Sequence, residues 1–174
     1  MLKQAHAISE EIIESVCNAT SINTILLRYF NPIGAHESVL IGELPIGVPN
    51  NLVPFLTQTA IGKRAFLSIY GNDYNTPDGT AIRDYIHVVD VARAHVVAID
   101  RMLSGQTKNK YELFNLGTGN GLSVLEIINA FEKITGVKVN YECVERRGGD
   151  VEKVYSDTSY ANKELGWKTT HTLE

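Results

Sequence analysis

Ile25, Leu26 and Leu27 stand side by side, and Arg28-Tyr29-Phe30-Asn31-Pro32 follows without a break. Adjacent rather than alternating aliphatic residues predict a strand over Ile22 to Tyr29 that is covered on both faces. Such a strand belongs inside a parallel sheet, with neighbours beside it and helices above and below. The aromatic pair, amide and proline at its end deliver polar groups to a rim, where loops held by rigid strands carry binding groups.

The remaining pattern agrees with strands alternating with helices. Ile8, Ile12, Ile13 and Val16 recur at helical spacing from Ala7 to Cys17, with Glu10, Glu11 and Glu14 between them. Residues 32 to 50 are predicted loop, broken by Gly34, Gly42, Pro45, Gly47 and Pro49. A helix runs from Asn51 to Ile61 and stops at Gly62, and Phe66 to Tyr70 is a short strand. Tyr85 to Val88 is extended, Asp90 is expected to cap a helix reaching Leu103, and Tyr111 to Leu116 is a further strand. Ser123-Val124-Leu125-Glu126 is a capping-box sequence ahead of a helix ending at Gly136. Val137 to Val144 alternates as a strand, and a short helix between Asp157 and Gly166 closes the series. This order predicts an α/β fold with no internal linker, residues 1–174 forming a single unit. Only one helix precedes the buried strand, and Leu173-Glu174 stops where a new segment begins, so a piece of a larger fold is expected.

Composition removes several functional classes. With 44% hydrophobic and 21% charged residues and a net charge of −4, the chain has the balance of a soluble domain and no basic footprint for nucleic acid. Cys17 and Cys143 form neither a disulfide framework nor a metal-ligand spacing, which suits a cytoplasmic location with no metal. No apolar run approaches membrane-spanning length.

Three motifs carry chemistry. Gly117-Thr118-Gly119-Asn120-Gly121 sits between a strand and a helix, with Glu142 at the end of the next strand, which mimics a dinucleotide fingerprint. Its third glycine would fall at Leu122, so a tight turn feeding a capped helix is the better reading. Arg83-Asp84-Tyr85-Ile86-His87-Val88-Val89-Asp90 supplies acids and an imidazole, but no Gly-x-Ser-x-Gly nucleophile elbow occurs. Local hydrogen bonds by Asp84 and His87 are the expectation there. Arg146-Arg147-Gly148-Gly149-Asp150 places two guanidiniums beside a glycine pair, equally suited to phosphate and to a solvated turn. Tyr70 could stack on a base, although its residue type favours the core.

Taken together, Leu27 to His36, Pro49-Asn50-Asn51-Leu52-Val53-Pro54, Gly71-Asn72-Asp73-Tyr74, Asp78-Gly79-Thr80, Arg83 to Val88, Asn115 to Gly119, Arg146 to Asp150 and Glu164-Leu165-Gly166-Trp167 resemble the second half of UDP-glucose (UDP-galactose) 4-epimerases. The resemblance runs from about Ala7 to the end of the chain. It implies the C-terminal part of an extended Rossmann-type short-chain dehydrogenase/reductase, without its N-terminal NAD-binding half. In that family NAD is held by the N-terminal half. A tyrosine, aided by a lysine four residues on, takes the proton of the sugar 4-hydroxyl, and the hydride leaves for NAD and returns to the other face.

Carried across, the resemblance implies that Phe30 and Asn31 lie beside the UDP-sugar and Tyr29 beside the nicotinamide. Asn50, Asn51 and Leu52 would meet the pyrophosphate, and Ser68, Ile69 and Tyr70 would hold uracil. Arg83 and Arg147 would clamp the diphosphate, and Asp150 would accept from the ribose hydroxyls. Val154 stands where some members carry tyrosine, which implies room for an N-acetyl group. Full-length members are often homodimers. Tyr-x-x-x-Lys occurs nowhere in this chain, and its two positions align with Leu2 and His6. No catalytic residue is therefore assigned, residues 1–6 are expected to be foreign or shifted, and the chain is expected to be inactive alone. Glu37, Val39 and Leu44 also depart from the family's usual Pro, Gly and Asp. The alternatives are a non-catalytic UDP-sugar-binding fragment or gene relic, and a related nucleotide-sugar dehydratase or decarboxylase.

Overall fold

In the computed structural model, which describes residues 2–173, β-strands and helices alternate along the chain. The elements are α1 (Leu2–Ala19), β1 (Thr24–Tyr29), β2 (Asn31–Ile33), α2 (Leu52–Ala60), β3 (Leu67–Tyr70), β4 (Ile82–Arg83) and β5 (Tyr85–His87). They continue with α3 (Val88–Leu103), β6 (Tyr111–Leu116), β7 (Leu122–Ser123), α4 (Val124–Thr135), β8 (Tyr141–Val144) and β9 (Lys153–Val154), and end in a π-helical turn, Ala161–Leu165. The side chains of Leu2, Lys3 and Gln4 are not described, among them the one aligned with the family's tyrosine.

Parallel pairing dominates: β1 with β6, β2 with β5, and β3 with β8. A small mixed sheet has β4 between antiparallel β7 and parallel β9. The backbone changes partner at one point. Phe30 N–H still donates to Leu116 at the end of β6, whereas Asn31 N–H already donates to Asp84. Consecutive residues of a strand face opposite ways, and β5 uses this to divide the core. Ile86 joins Phe114, Leu116, Ala94 and Trp167 beneath α3, while Tyr85 joins Leu56, Ile69 and Ile128 between α2 and α4. Burial of Tyr85 pushes its phenol up to about 12.

Among the described strands β1 has no neighbour on its second edge. Its residues are half-buried or exposed, against the expectation of a strand covered on both faces. On α1 the side chains of Ile8, Ile12 and Val16 share one helical stripe and are exposed. Helix α1 is tied to the strand by Arg28, whose Nε donates to Glu10 at 2.7 Å.

Helix ends agree with the sequence in part. Ser123 and Glu126 form the expected capping box, and Gly136 closes α4 in the left-handed conformation. The cap of α3 is His87, whose Nδ1 accepts from Val89 N–H at 3.2 Å. Asp90, expected in that role, is instead fully buried in the first turn. Its carboxylate accepts from Thr170 N–H and Oγ1 and from His171 N–H, at 3.0, 2.8 and 3.0 Å, and so clasps the chain's last segment. The predicted strand Val137–Val144 shortens to Tyr141–Val144 because only these residues pair with β3.

Two buried polar features mark the interior. Arg101 meets Glu112 with two hydrogen bonds, of 2.7 and 2.9 Å, and both side chains are buried. Tyr74 is buried too, yet its hydroxyl has no hydrogen-bond partner. An unsatisfied buried hydroxyl costs about 1–3 kcal/mol. Tyr74→Phe is therefore expected to leave stability unchanged or raise it by about 1 kcal/mol in urea unfolding. A clear fall in the midpoint would contradict the assignment.

Among the described residues no helix is long and apolar enough to cross a membrane. No cluster of three His, Cys, Asp or Glu side chains there could hold a metal ion.

Candidate functional site

A cleft of about 220 Å³ opens between the start of α2, the outer face of β3 and the segment 147–150. Strand alternation builds its floor. Leu67 and Ile69 turn inward and are buried, while Ser68 and Tyr70 turn outward. Tyr70 is thus not the core residue that its type suggested. The Arg147 guanidinium lies 3.8 Å from its ring centroid, a cation–π contact.

One end of the cleft is the N-terminus of α2. Asn51 begins the helix but its side chain makes no cap; Asn51 Nδ2 donates to Glu43 at 3.2 Å instead. The amides of Leu52 and Val53 are therefore uncapped, and Pro54 in the first turn has no N–H to satisfy. A helix start of this kind attracts anions through its free amides and its dipole.

Arg83 comes from β4, beside the cleft, and its guanidinium is ion-paired with Asp150. One of its nitrogens also donates to the carbonyl of Ile82 at 2.7 Å, which fixes the side chain's root. The two neighbouring arginines part company. Arg146 turns away to Asp73, donating to Oδ1 at 2.7 Å and to the main-chain carbonyl at 2.6 Å, and covers the Tyr74 ring. Only Arg147 enters the cleft.

The cleft thus gathers Asn50, Asn51, Leu52, Ser68, Ile69, Tyr70, Arg83, Arg147 and Asp150. An adjoining recess of about 150 Å³ shares Asn50, Asn51, Leu52 and Arg147 and adds Asn31 and Tyr85. Tyr29 and Phe30 line a separate hollow at the end of β1, with Asn115 and His6. Val154 lines none of these three. In β9 it is in register with Arg83, and its carbonyl accepts from Asp84 N–H at 3.1 Å. Phe55, Val124 and Ala81 complete the apolar wall of the cleft. Sequence reasoning missed them because an apolar residue on a helix or strand reads as core.

The glycine-rich turn after β6 already has an occupant. Thr118 N–H and Oγ1 and Gly119 N–H donate to the carboxylate of Asp84 at 2.9, 2.7 and 3.1 Å. A side chain at Gly117 would collide with this group, since a Cβ there would lie 2.4 Å from Asp84 Oδ2. The turn resembling a dinucleotide cradle holds one of the chain's own carboxylates. Local bonding had been expected for Asp84; its partners lie 34 and 72 residues away.

The family model for GDP-mannose 4,6 dehydratase matches residues 3–174. A UDP-glucose 4-epimerase of Dictyostelium discoideum is 53% identical over 166 residues, which are 95% of this chain and 48% of that protein. Among solved structures, the UDP-glucose 4-epimerase of Stenotrophomonas maltophila, with bound NAD and formylated UDP-arabinopyranose, superposes with a TM-score of 0.91 at 46% identity. That of Bifidobacterium longum, in complex with NAD+ and UDP, gives 0.89 at 49% identity. Each match covers 96% of this chain and 49% of the other. The chain spans about half the length of the curated relatives it matches. By its residues, its α/β architecture and these matches, the chain belongs to the GDP-mannose 4,6 dehydratase family, within the extended short-chain dehydrogenases/reductases, and resembles the C-terminal half of UDP-glucose 4-epimerases.

Proposed function

We propose that this chain is the substrate-binding half of a UDP-glucose 4-epimerase, holding a UDP-sugar but unable to epimerise it unaided. The convergence of Arg83, Arg147 and the uncapped start of α2 on one cleft, beside the ring of Tyr70, carries this reading. Two guanidiniums and two free amides match the charge and the oxygen count of a diphosphate. Tyr70 and Ser68 offer a flat face and a hydroxyl to uracil. Asp150, now paired with Arg83, can accept from ribose hydroxyls once phosphate engages that guanidinium. Asn31 and Val154 are assigned to the sugar end, because both bond to the backbone of Asp84, next to Arg83, and Phe30 is assigned there as the neighbour of Asn31 in sequence.

NAD, bound in the related crystal structures, would supply the hydride acceptor and donor. What this chain offers it is limited to one side. Its glycine-rich turn is filled by Asp84, and the exposed Tyr29 at the carboxyl end of β1 is left to flank the nicotinamide. The rest of a dinucleotide site, with Tyr-x-x-x-Lys, would come from an N-terminal half. A dehydratase reading draws on the family model's description alone, while the curated relatives at about half identity are epimerases.

Titration calorimetry with UDP tests the binding claim. Arg147→Ala removes charge-assisted hydrogen bonds worth about 1.5–3 kcal/mol, so affinity is expected to fall roughly 10- to 150-fold. Raising the ionic strength should weaken the native chain's binding more than the variant's. Equal affinities for UDP and uridine would sink the diphosphate clamp.

A further inference from the structure

Asp84 is fully buried and lines no part of the cleft, yet it is bonded to three segments around Arg83: β2, the turn after β6, and residues 154–156. Its carboxylate takes Thr118 N–H, Thr118 Oγ1 and Gly119 N–H from the turn after β6. From the segment that follows β9 it takes Ser156 N–H at 3.1 Å and Ser156 Oγ at 2.5 Å. Its own N–H donates to Val154, and its carbonyl accepts from Asn31 N–H at 3.0 Å. Successive amides wrapped around an anion form a nest, which satisfies a buried charge without a cation. The donors here are five, and none is a charged group.

We infer that Asp84 is a positioning residue for the UDP half-site: its carboxylate ties the Gly117–Gly121 turn to Ser156 while its backbone bonds Asn31 of β2 and Val154 of β9, and together these hold Arg83 in place relative to Asn31 and Asp150. The inference rests on the reading of the cleft as a UDP site. Residue alternation gives the mechanism its direction. With Asp84 pinned inward, Arg83 must face outward into the cleft. Loss of a donor loosens the turn or the 154–156 segment, and so the Arg83–Asp150 arrangement, without touching ligand.

The test uses the 174-residue chain and UDP as probe, in titration calorimetry at a temperature where circular dichroism shows each variant folded. Ser156→Ala and Thr118→Val each remove one hydroxyl donor, and Asp84→Asn removes the charge. UDP affinity is expected to fall about threefold for each hydroxyl variant and tenfold or more for Asp84→Asn. Leu165→Ala, in the core under α3, serves as a variant that lowers thermal stability away from the cleft, and its UDP affinity should match that of the native chain. If Ser156→Ala and Thr118→Val bind UDP like the native chain while Arg147→Ala does not, the positioning role is wrong and the half-site stands. If Leu165→Ala loses affinity in step with its melting temperature, Asp84 acts on stability alone. Absence of UDP binding by the native chain overturns the half-site and the positioning role with it.

Discussion

Mixed with the N-terminal half of a UDP-glucose 4-epimerase, carried through its Tyr-x-x-x-Lys, the chain is expected to turn over UDP-galactose, and neither piece is expected to do so alone. The expectation starts from an open edge. Strand β1 pairs with β6 on one side and has no neighbour among the described strands on the other. Its carbonyls and amides on that edge are a template for a further parallel strand. Beside it the exposed stripe of Ile8, Ile12 and Val16 offers apolar surface for packing. Without a base and a hydride carrier the isolated chain has no route through the 4-keto intermediate, so its deficit should span the whole catalysed enhancement, on the order of 10⁶ or more. Coupled detection of UDP-glucose reads the result. Turnover by the chain alone would show that the sequence conceals a base.

The second large effect concerns stability. Glu112→Ala is expected to cost about 3–5 kcal/mol, because it leaves the buried guanidinium of Arg101 without its partner. For a domain of this size that is a fall in melting temperature of roughly 10 °C. Replacing both residues together, Arg101→Met with Glu112→Leu, should recover most of the loss, since a well-packed apolar pair avoids the desolvation of two charges. A double variant as unstable as the single one would mean that Lys108 N–H, which also donates to Glu112, matters more than the ion pair.

The same carboxylate predicts the acid limit. Its hydrogen bonds from Arg101 hold the Glu112 carboxyl below the ordinary 4.5, against burial, which raises it. Burial likewise raises Asp90, but the donors from His171 and Thr170 outweigh it and leave that carboxyl below 3.8. In both cases the unfolded chain binds its proton at higher pH than the folded one. The stabilisation is complete above pH about 4.5 and drains away as pH falls through the lower, folded values. Unfolding midpoints measured from pH 6 to pH 3 should therefore decline, and Glu112→Gln should flatten the curve. A midpoint independent of pH over that range would contradict the shifts.

What the sequence determined on its own is what four-residue neighbourhoods decide. The capping box of Ser123 and Glu126, the glycine that ends α4, and the four longer helices rest on local bonding and periodicity, whereas the short strands β2, β4, β7 and β9 exist only through their distant partners. The family was also legible, since its motifs run in order along nearly the whole chain. Partners distant in sequence were decided by the tertiary structure alone. Arg146 and Arg147 are adjacent, yet one closes on Asp73 and the other on Tyr70. Asp90 and His87 exchange the cap that either could supply. The Gly117–Gly121 turn reads as a nucleotide cradle until Asp84 is seen inside it. Periodicity tells which face a side chain takes, whereas a buried charge finds its donors wherever folding brings amides together.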